Sequence, residues 1–287
     1  MKNKLEIILI ISITVLFWAW AFMGIKIALE ELNPIDLTLL RFLVADMVFI
    51  PYLTIKGVSI KLRDIPKVLI LGIGGVTLYH LCLNFGEVYI SSGIASLIIS
   101  TAPAFIFLTS VLFLKERIFK SRVLGTLSAL TGVIIVILGS GVSYEVENYI
   151  GALAVLIAAL SATFYTVYGK VMFSRYSPAI LTAYAITLGT APLLLLLTPQ
   201  KLGEFSTLSM KTWFSVLFLG LCSTVVGYLG WFYVLEKMEA SRAAVFLQAI
   251  PVIAVVSGVI FLNEKITSLF ALGTVMVVTG VYLVNRG

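Results

Sequence analysis

Residues 103–118 read PAFIFLTSVLFLKERI, and residues 251–266 read PVIAVVSGVIFLNEKI. Each stretch opens on proline and runs through apolar residues to Phe-Leu. Each then carries glutamate at its fourteenth position, followed by a basic residue and isoleucine. Laid over one another without gaps, residues 95–138 and 243–286, 148 positions apart, agree at 14 of 44 positions. The matches include Ala95/Ala243, Pro103/Pro251, Glu116/Glu264, Gly125/Gly273, Thr126/Thr274 and the TGV triplets beginning at Thr131 and Thr279. Further upstream the offset is 144: Lys26 meets Lys170, Pro34 meets Pro178, and NPIDLT faces SPAILT. The chain is therefore a duplication, with a first repeat over 1–144 and a second over 145–287. The segment GSGVSYEVENYIG at 139–151 joins them.

The solvent of these repeats follows from composition. Of 287 residues, 60% are hydrophobic and 12% charged, against about half and about a quarter in soluble domains. Apolar runs of about 20 residues recur, the length that crosses a bilayer as helix. Helices are expected at 7–29, 34–55, 66–88, 92–114, 121–141, 150–173, 178–198, 211–235, 240–262 and 267–285, with Pro34, Pro66 and Pro178 at starts, where a missing N–H costs little. The opening MKNKLEIILIISITVLFWAWAF lacks a small-residue cleavage site, and its apolar run is too long for a signal peptide, so it is expected to be the first span. The fold class is thus an all-α integral membrane protein of ten transmembrane helices. Five helices per repeat is an odd number, so the second repeat enters the membrane inverted. Inverted repeats characterise secondary transporters, with substrate held near the midplane between the halves.

Charge orients the chain. With the N-terminus inside, 15 of the 20 Lys and Arg residues fall on the cytoplasmic side and 4 outside, with Arg41 in a span. This bias places both termini in the cytoplasm, and the expected location is the plasma membrane. The net charge of +6 reflects this orientation, and no nucleic-acid partner is expected. Cys82, Cys222 and a single histidine supply neither a disulfide framework nor a metal set. No phosphate-binding G-x-x-x-x-G-K-[ST] loop is present, and no cofactor is expected.

FWAWAFMGIKIAL with Lys26, NPIDLTLLRF with Arg41, and the two P…FL-x-E-[RK]-I units followed by G…TGV resemble the drug/metabolite transporter superfamily, in particular its ten-helix EamA type. The resemblance covers the chain from the first helix to the tenth. YHLCLNFG on the third helix resembles members that export aromatic amino acids. The resemblance implies export of small metabolites without an ATP-binding site.

Polar residues inside a bilayer face the interior or water. On the third helix Thr77, His80, Asn84 and Glu87 recur at spacings of 3, 4 and 3, which places them on one face. They form either a helix–helix hydrogen-bond set or the lining of a cavity. His80 is the only side chain whose ordinary titration falls near neutrality. It either orients substrate or exchanges a proton. The repeat mate of His80 is Tyr228, on the stripe Thr224, Tyr228, Trp231. The sixth helix offers Ser161, Tyr165 and Tyr168, and the ninth offers Gln248, whose mate is Ser100. With Trp18 and Trp20 on the first helix and Tyr79 beside His80, these are the candidate substrate-binding residues. They describe an aromatic cavity with a few orienting polar groups. Candidates for coupling or gating are Lys26, Arg41, Asp46 and Glu87. Arg41 is placed to snorkel toward a helix end. Asp46 either couples protons or pairs with a neighbouring helix. Lys26 and Lys170 either gate or compensate helix C-termini. Glu116 and Glu264 lie close to the next helix's N-terminal dipole. Pro103 and Pro251 fall within helices and are the candidate hinges, each removing a backbone hydrogen bond.

Other classes fit less well. An intramembrane enzyme needs clustered histidines or paired carboxylates, and the spans carry neither. A channel would show rings of charge or a carbonyl filter. A lipid or nucleotide-sugar flippase of the same fold stays open. The expected partners are a small-molecule substrate, the lipid bilayer and, as an option, a second copy forming a homodimer.

Overall fold

The computed structural model describes residues 2–57, 59–114, 120–139, 146–237, 240, 243, 245–262 and 267–286. Among these, helix is the one regular secondary structure. The first repeat contains α1 (Lys2–Ala28), α2 (Pro34–Lys56), α3 (Ile65–Gly72), α4 (Leu78–Tyr89), α5 (Ser92–Ile99), α6 (Ala102–Leu114) and α7 (Lys120–Gly139). The second contains α8 (Val146–Met172), α9 (Pro178–Leu194), α10 (Pro199–Ser206), α11 (Met210–Leu217), α12 (Gly227–Lys237), α13 (Ala249–Leu262) and α14 (Ser268–Arg286). Local chemistry sets the starts. Asn33 caps α2 by accepting from the N–H groups of Ile35 and Asp36, with Pro34 as first helical residue. Ser91 caps α5 and Ser209 caps α11 in the same way.

Helix occupies each of the ten expected positions, but not all are membrane-length spans. Among the described residues six helices are long and apolar enough to cross: Leu5–Ala28, Pro34–Lys56, Leu62–Tyr89, Ser92–Phe113, Val146–Met172 and Met210–Lys237. The pair α9 and α10, bent by 109°, makes a seventh if counted as one span. The ninth expected helix is the instructive shortfall. Among the described residues, a 3-10 turn over Val245–Gln248 separates the helical residues Ala240 and Ala243 from α13, which has 14 residues, about 21 Å at about 1.5 Å each. The seventh also differs, since the expected helix over 178–198 stops at Leu194, and Pro199 opens a separate short helix.

The repeats are related by a two-fold axis, which close helix crossings reveal. A Cβ built on Gly132 would lie 2.7 Å from the Val277 nitrogen and 2.8 Å from the Gly273 oxygen. One on Gly280 would press on the Ala129 nitrogen and the Gly125 oxygen. These are the same contacts with the repeats exchanged. Ser128 Oγ donates to the carbonyl of Met276, its own mate, at 3.1 Å. Residues early on α7 meet residues late on α14, so the two run antiparallel and the axis lies across them, as an inverted repeat requires. Away from the axis, Gly72 packs on Ala185 of α9 while its mate Gly220 packs on Arg41 of α2.

Both repeats also distort the same helix in the same place. A π-helical turn over Ile73–Thr77 joins α3 to α4, and a longer one over Phe218–Val226 joins α11 to α12. Thr77 and Thr224 each send Oγ1 to the carbonyl five residues back, at 3.4 and 2.8 Å. Such π-turns occur frequently at functional sites.

The candidate prolines sit at breaks rather than in continuous helix. Ser100 and Thr101 interrupt the fourth span, and their hydroxyls donate to the carbonyls of Leu97 and Ile98, each at 2.6 Å. Pro103 follows as the second residue of α6, and Pro251 is the third residue of α13, just after the 3-10 turn. Glu116, Glu264 and residues 140–145 of the inter-repeat segment lie outside the described residues.

Candidate functional site

A cavity of about 80 Å³ lies inside the bundle, walled by both repeats. At about 10–15 Å³ per water, it has room for several waters or a small solute. From the first repeat, α1 supplies Trp18, α2 Arg41, α4 Tyr79 and His80, and the broken fourth span Ser100 and Pro103. From the second, α8 supplies Tyr165, the π-turn Ser223, α12 Tyr228 and Trp231, and the ninth position Leu247 and Ile250.

Tyr228 is the hub of the aromatic wall. Its ring centroid lies 5.8 Å from Trp18, 5.9 Å from His80 and 5.3 Å from Tyr165. Trp18 also meets Trp231 at 5.7 Å, and Tyr165 stacks on Phe232 at 4.5 Å. The Trp18 indole spends its N–H on the Ser223 carbonyl at 3.0 Å, so its ring is what it offers to the cavity. A Cβ on Gly227 would collide with that indole, so glycine there lets Trp18 lie against α12.

His80 is fully buried, with Nδ1 2.8 Å from the Val76 carbonyl. A carbonyl only accepts, so Nδ1 carries the proton. The ring packs edge-on against Phe42 at 5.0 Å and Tyr79 at 4.8 Å.

Arg41 departs from the expectation. It does not snorkel: it is 3% exposed and lines the cavity. Its Nε donates to Thr224 Oγ1 at 2.6 Å and its Nη2 to Ser223 Oγ at 2.9 Å. Both hydroxyls sit on the π-turn of the other repeat, which turns them toward α2 and gives the guanidinium partners inside the bundle.

The other candidates separate by face. Asn84 donates to Thr38 Oγ1 at 2.9 Å and Thr77 to the Gly189 carbonyl at 2.7 Å, so these members of the polar stripe bond neighbouring helices. Glu87 is buried on α4 outside the cavity lining, and its backbone carbonyl accepts from Lys26 Nζ. Asp46 accepts from Thr187 at 2.7 Å, on the α2–α9 contact. Trp20, two residues from Trp18, is 38% exposed and outside the lining. Tyr168 stacks on Phe164 at 5.1 Å, also outside it. Gln248 ends the 3-10 turn beside the lining residue Leu247, and its side chain lies outside the described residues. Ser223 and Ser96 line the cavity without having been singled out in the sequence. The signal for Ser223 was the hydroxyl pair in LCSTVVG, on the stripe that carries Tyr228.

The chain belongs to the EamA-like transporter family, whose model matches it twice, over residues 5–138 and 149–286. It is a membrane transporter. An uncharacterized transporter of Archaeoglobus fulgidus is 44% identical over 97% of this chain and 98% of its own length. A probable terminal-alkyne amino-acid exporter of Streptantibioticus cattleyicolor is 30% identical over 96% of this chain and 91% of its own. A solved structure titled only as a crystal structure of protein superposes with a TM-score of 0.70 over 98% of both chains at 20% identity, which speaks to the fold.

Proposed function

We propose that this protein exports small organic metabolites of the amino-acid kind across the plasma membrane by alternating access between its two inverted repeats. Ten crossings with both termini cytoplasmic complete the reading. The observation that carries it is the buried aromatic cavity, walled by residues of both repeats, which a two-fold axis relates. A site at that place can be exposed to either side when the repeats rock. The lining is mostly apolar, with few polar groups to orient a solute, as small-molecule sites are. The relative named as an amino-acid exporter and a probable amino-acid metabolite efflux pump of Escherichia coli K12, 26% identical over 94% of this chain and 92% of its own, support the solute class. The 15-to-4 distribution of Lys and Arg supports the orientation.

The test is transport in proteoliposomes with a panel of amino acids and other metabolites, with and without a pH gradient. The expected result is saturable movement of at least one amino acid, with counterflow when that solute is loaded on the far side. Non-saturable flux would indicate a channel. Movement of labelled lipid in place of solutes would indicate a flippase of the same fold.

A further inference from the structure

We infer that Arg41 is a carboxylate anchor: the cavity binds a small organic anion whose carboxylate docks on the Arg41 guanidinium beside Ser223. The apolar body of the solute then lies against Trp18, Tyr79, Tyr228 and Trp231. This rests on the transporter reading and names the substrate class of that same site.

The argument begins with charge. A guanidinium keeps its proton in proteins, and Arg41 is 3% exposed. Its hydrogen-bond partners are two neutral hydroxyls, Thr224 Oγ1 and Ser223 Oγ. Among the described residues no carboxylate forms an ion pair with it. Asp46, on the same helix, is bonded to Thr187 and does not line the cavity. Glu87, buried on α4 outside the lining, acts on Arg41 as a more distant charge and makes no hydrogen bond with it among the described residues. Other cations that join the two repeats have acids: Arg175 pairs with Asp64 and Lys201 with Asp36. A buried charge without a counter-charge is strongly disfavoured. A purely mechanical link from α2 to the π-turn would need only a neutral amide. The cavity is where the missing anion can sit.

The form of the anion follows from the wall. A guanidinium presents a planar fork that matches a carboxylate with two parallel hydrogen bonds. Among the described residues Arg41 is the one Lys, Arg, Asp or Glu in the lining. A phosphate, near two negative charges at neutral pH, would keep one of them uncompensated. The rest of the lining is mostly aromatic rings and aliphatic side chains, with neutral hydroxyls such as Ser96, Ser100 and Thr166, and the Trp18 donor is already committed. The solute opposite Arg41 is therefore apolar or aromatic at its other end.

Trp18 and Trp231 line the cavity, so intrinsic fluorescence of the purified protein in nanodiscs, together with its melting temperature, reads occupancy. The probes are the twenty amino acids. For each binder, the matched deaminated acid, decarboxylated amine and carboxamide follow, with chloride and inorganic phosphate as separate arms. At least one amino acid is expected to bind. Its deaminated acid should bind too, and its amine and amide at least about thirty-fold more weakly, the effect of removing one member of a buried charge pair. Arg41→Gln should lose carboxylate affinity by a similar factor, and Arg41→Lys should keep part of it.

Equal binding of amine or amide, unchanged carboxylate affinity in Arg41→Gln, no carboxylate binding at millimolar concentration, or occupation by chloride or phosphate instead would each overturn the anchor. If Arg41→Gln does not fold, the ligand series on the parent protein and Arg41→Lys still decide. Carboxylate binding without transport would overturn the transport reading and keep the anchor. Transport of amines or neutral solutes, indifferent to Arg41→Lys, would do the reverse.

Discussion

Glu31 and Asp64 hold opposite ends of the bundle, separated by the 23 residues of α2, about 35 Å of helix. At one end the Glu31 carboxylate accepts from the Ser209 N–H at 2.9 Å, from the Ser209 hydroxyl, and from the Thr212 hydroxyl at 2.9 Å. At the other, Asp64 accepts from Arg175 Nη1 at 2.8 Å and from the Tyr176 hydroxyl at 2.9 Å. The Lys61 N–H closes that set by donating to Tyr176 at 3.1 Å. The repeat offsets of 144 and 148 place Glu31 opposite Arg175, Ser209 opposite Lys61 and Thr212 opposite Asp64. The two latches occupy the same positions, and each ties the first repeat to the second. Between them the acid has changed sides, and one latch has a cation where the other has only neutral donors. Duplication kept the place of the contact and let its chemistry diverge. Under the proposed alternating access these contacts would break in turn, so the two ends are expected to differ in what breaks them.

The strongest way to break the equivalence of the repeats lies at the helix crossings. A Cβ on Gly72 would run into the Ala185 carbonyl oxygen and come within 3.0 Å of the Gly189 nitrogen, both backbone atoms. Its mate Gly220 would first meet Val44 Cγ1 and Cβ, at 2.5 and 2.7 Å, with the Arg41 carbonyl at 3.0 Å. Backbone inside a helix cannot yield as a side chain can. Gly72→Ala is therefore expected to cost about 1–3 kcal/mol, and Gly220→Ala less. Melting temperatures of both variants in one detergent check this. An equal or larger loss in Gly220→Ala would mean that the two crossings are equally rigid.

At the Asp64 end the side chain is 1% exposed, while Arg175 is 47% exposed. Asp64→Ala leaves Tyr176, Arg175 and Lys67 without their shared acceptor, whereas Arg175→Ala leaves Asp64 with Tyr176 and with Lys67 at 3.5 Å. Asp64→Ala should therefore weaken this end several-fold more than Arg175→Ala. Labelling of a cysteine introduced at Ser100, in Cys82→Ala/Cys222→Ala background, reads the opening from that side. Equal labelling rates for the two variants would show that the ion pair alone holds the end.

The duplication was legible because proline, glutamate and glycine punctuation survived at a fixed offset, and helix followed from long apolar runs. The His80–Tyr228 correspondence was legible for the same reason, and the cavity brings that pair to 5.9 Å. What escaped depends on packing between helices. Trp18 and Trp20 are equally plausible from sequence, yet two residues turn a helix by about 200°, and only the bundle decides which faces inward. Asn84 and Thr77 share the stripe of His80, but each finds a partner on another helix before reaching the cavity. Arg41 looked ready to snorkel because nothing in a helix-period pattern announces a π-turn, and the π-turn carries its partners Ser223 and Thr224.

The smallest effect is expected at the Glu31 end, where acidity separates the two latches. Glu31 lies in the connection between α1 and α2, outside the membrane spans. The Ser209 hydroxyl first, then the Ser209 N–H and the Thr212 hydroxyl, hold its carboxyl below the ordinary value of 4.5, with a lesser contribution from Lys211. A carboxyl whose folded value is depressed adds stability that is fully present above its unfolded value. That stability is lost as pH falls through the lower folded value. The Glu31 latch should therefore be intact at neutral pH and weaken only below about 4.5. Glu31→Gln keeps the shape and loses the charge. It should lower the melting temperature slightly at pH 7, and the difference from the parent should shrink toward zero as pH falls through the depressed folded value. High salt should leave most of the effect in place, because the main partners of Glu31 are neutral and hydrogen bonds to them are screened less than the exposed Lys211–Glu30 ion pair at 2.8 Å. A difference that persists unchanged into acid would mean that the Glu31 charge is not what holds this end. A difference abolished by salt at pH 7 would transfer the role to the lysines.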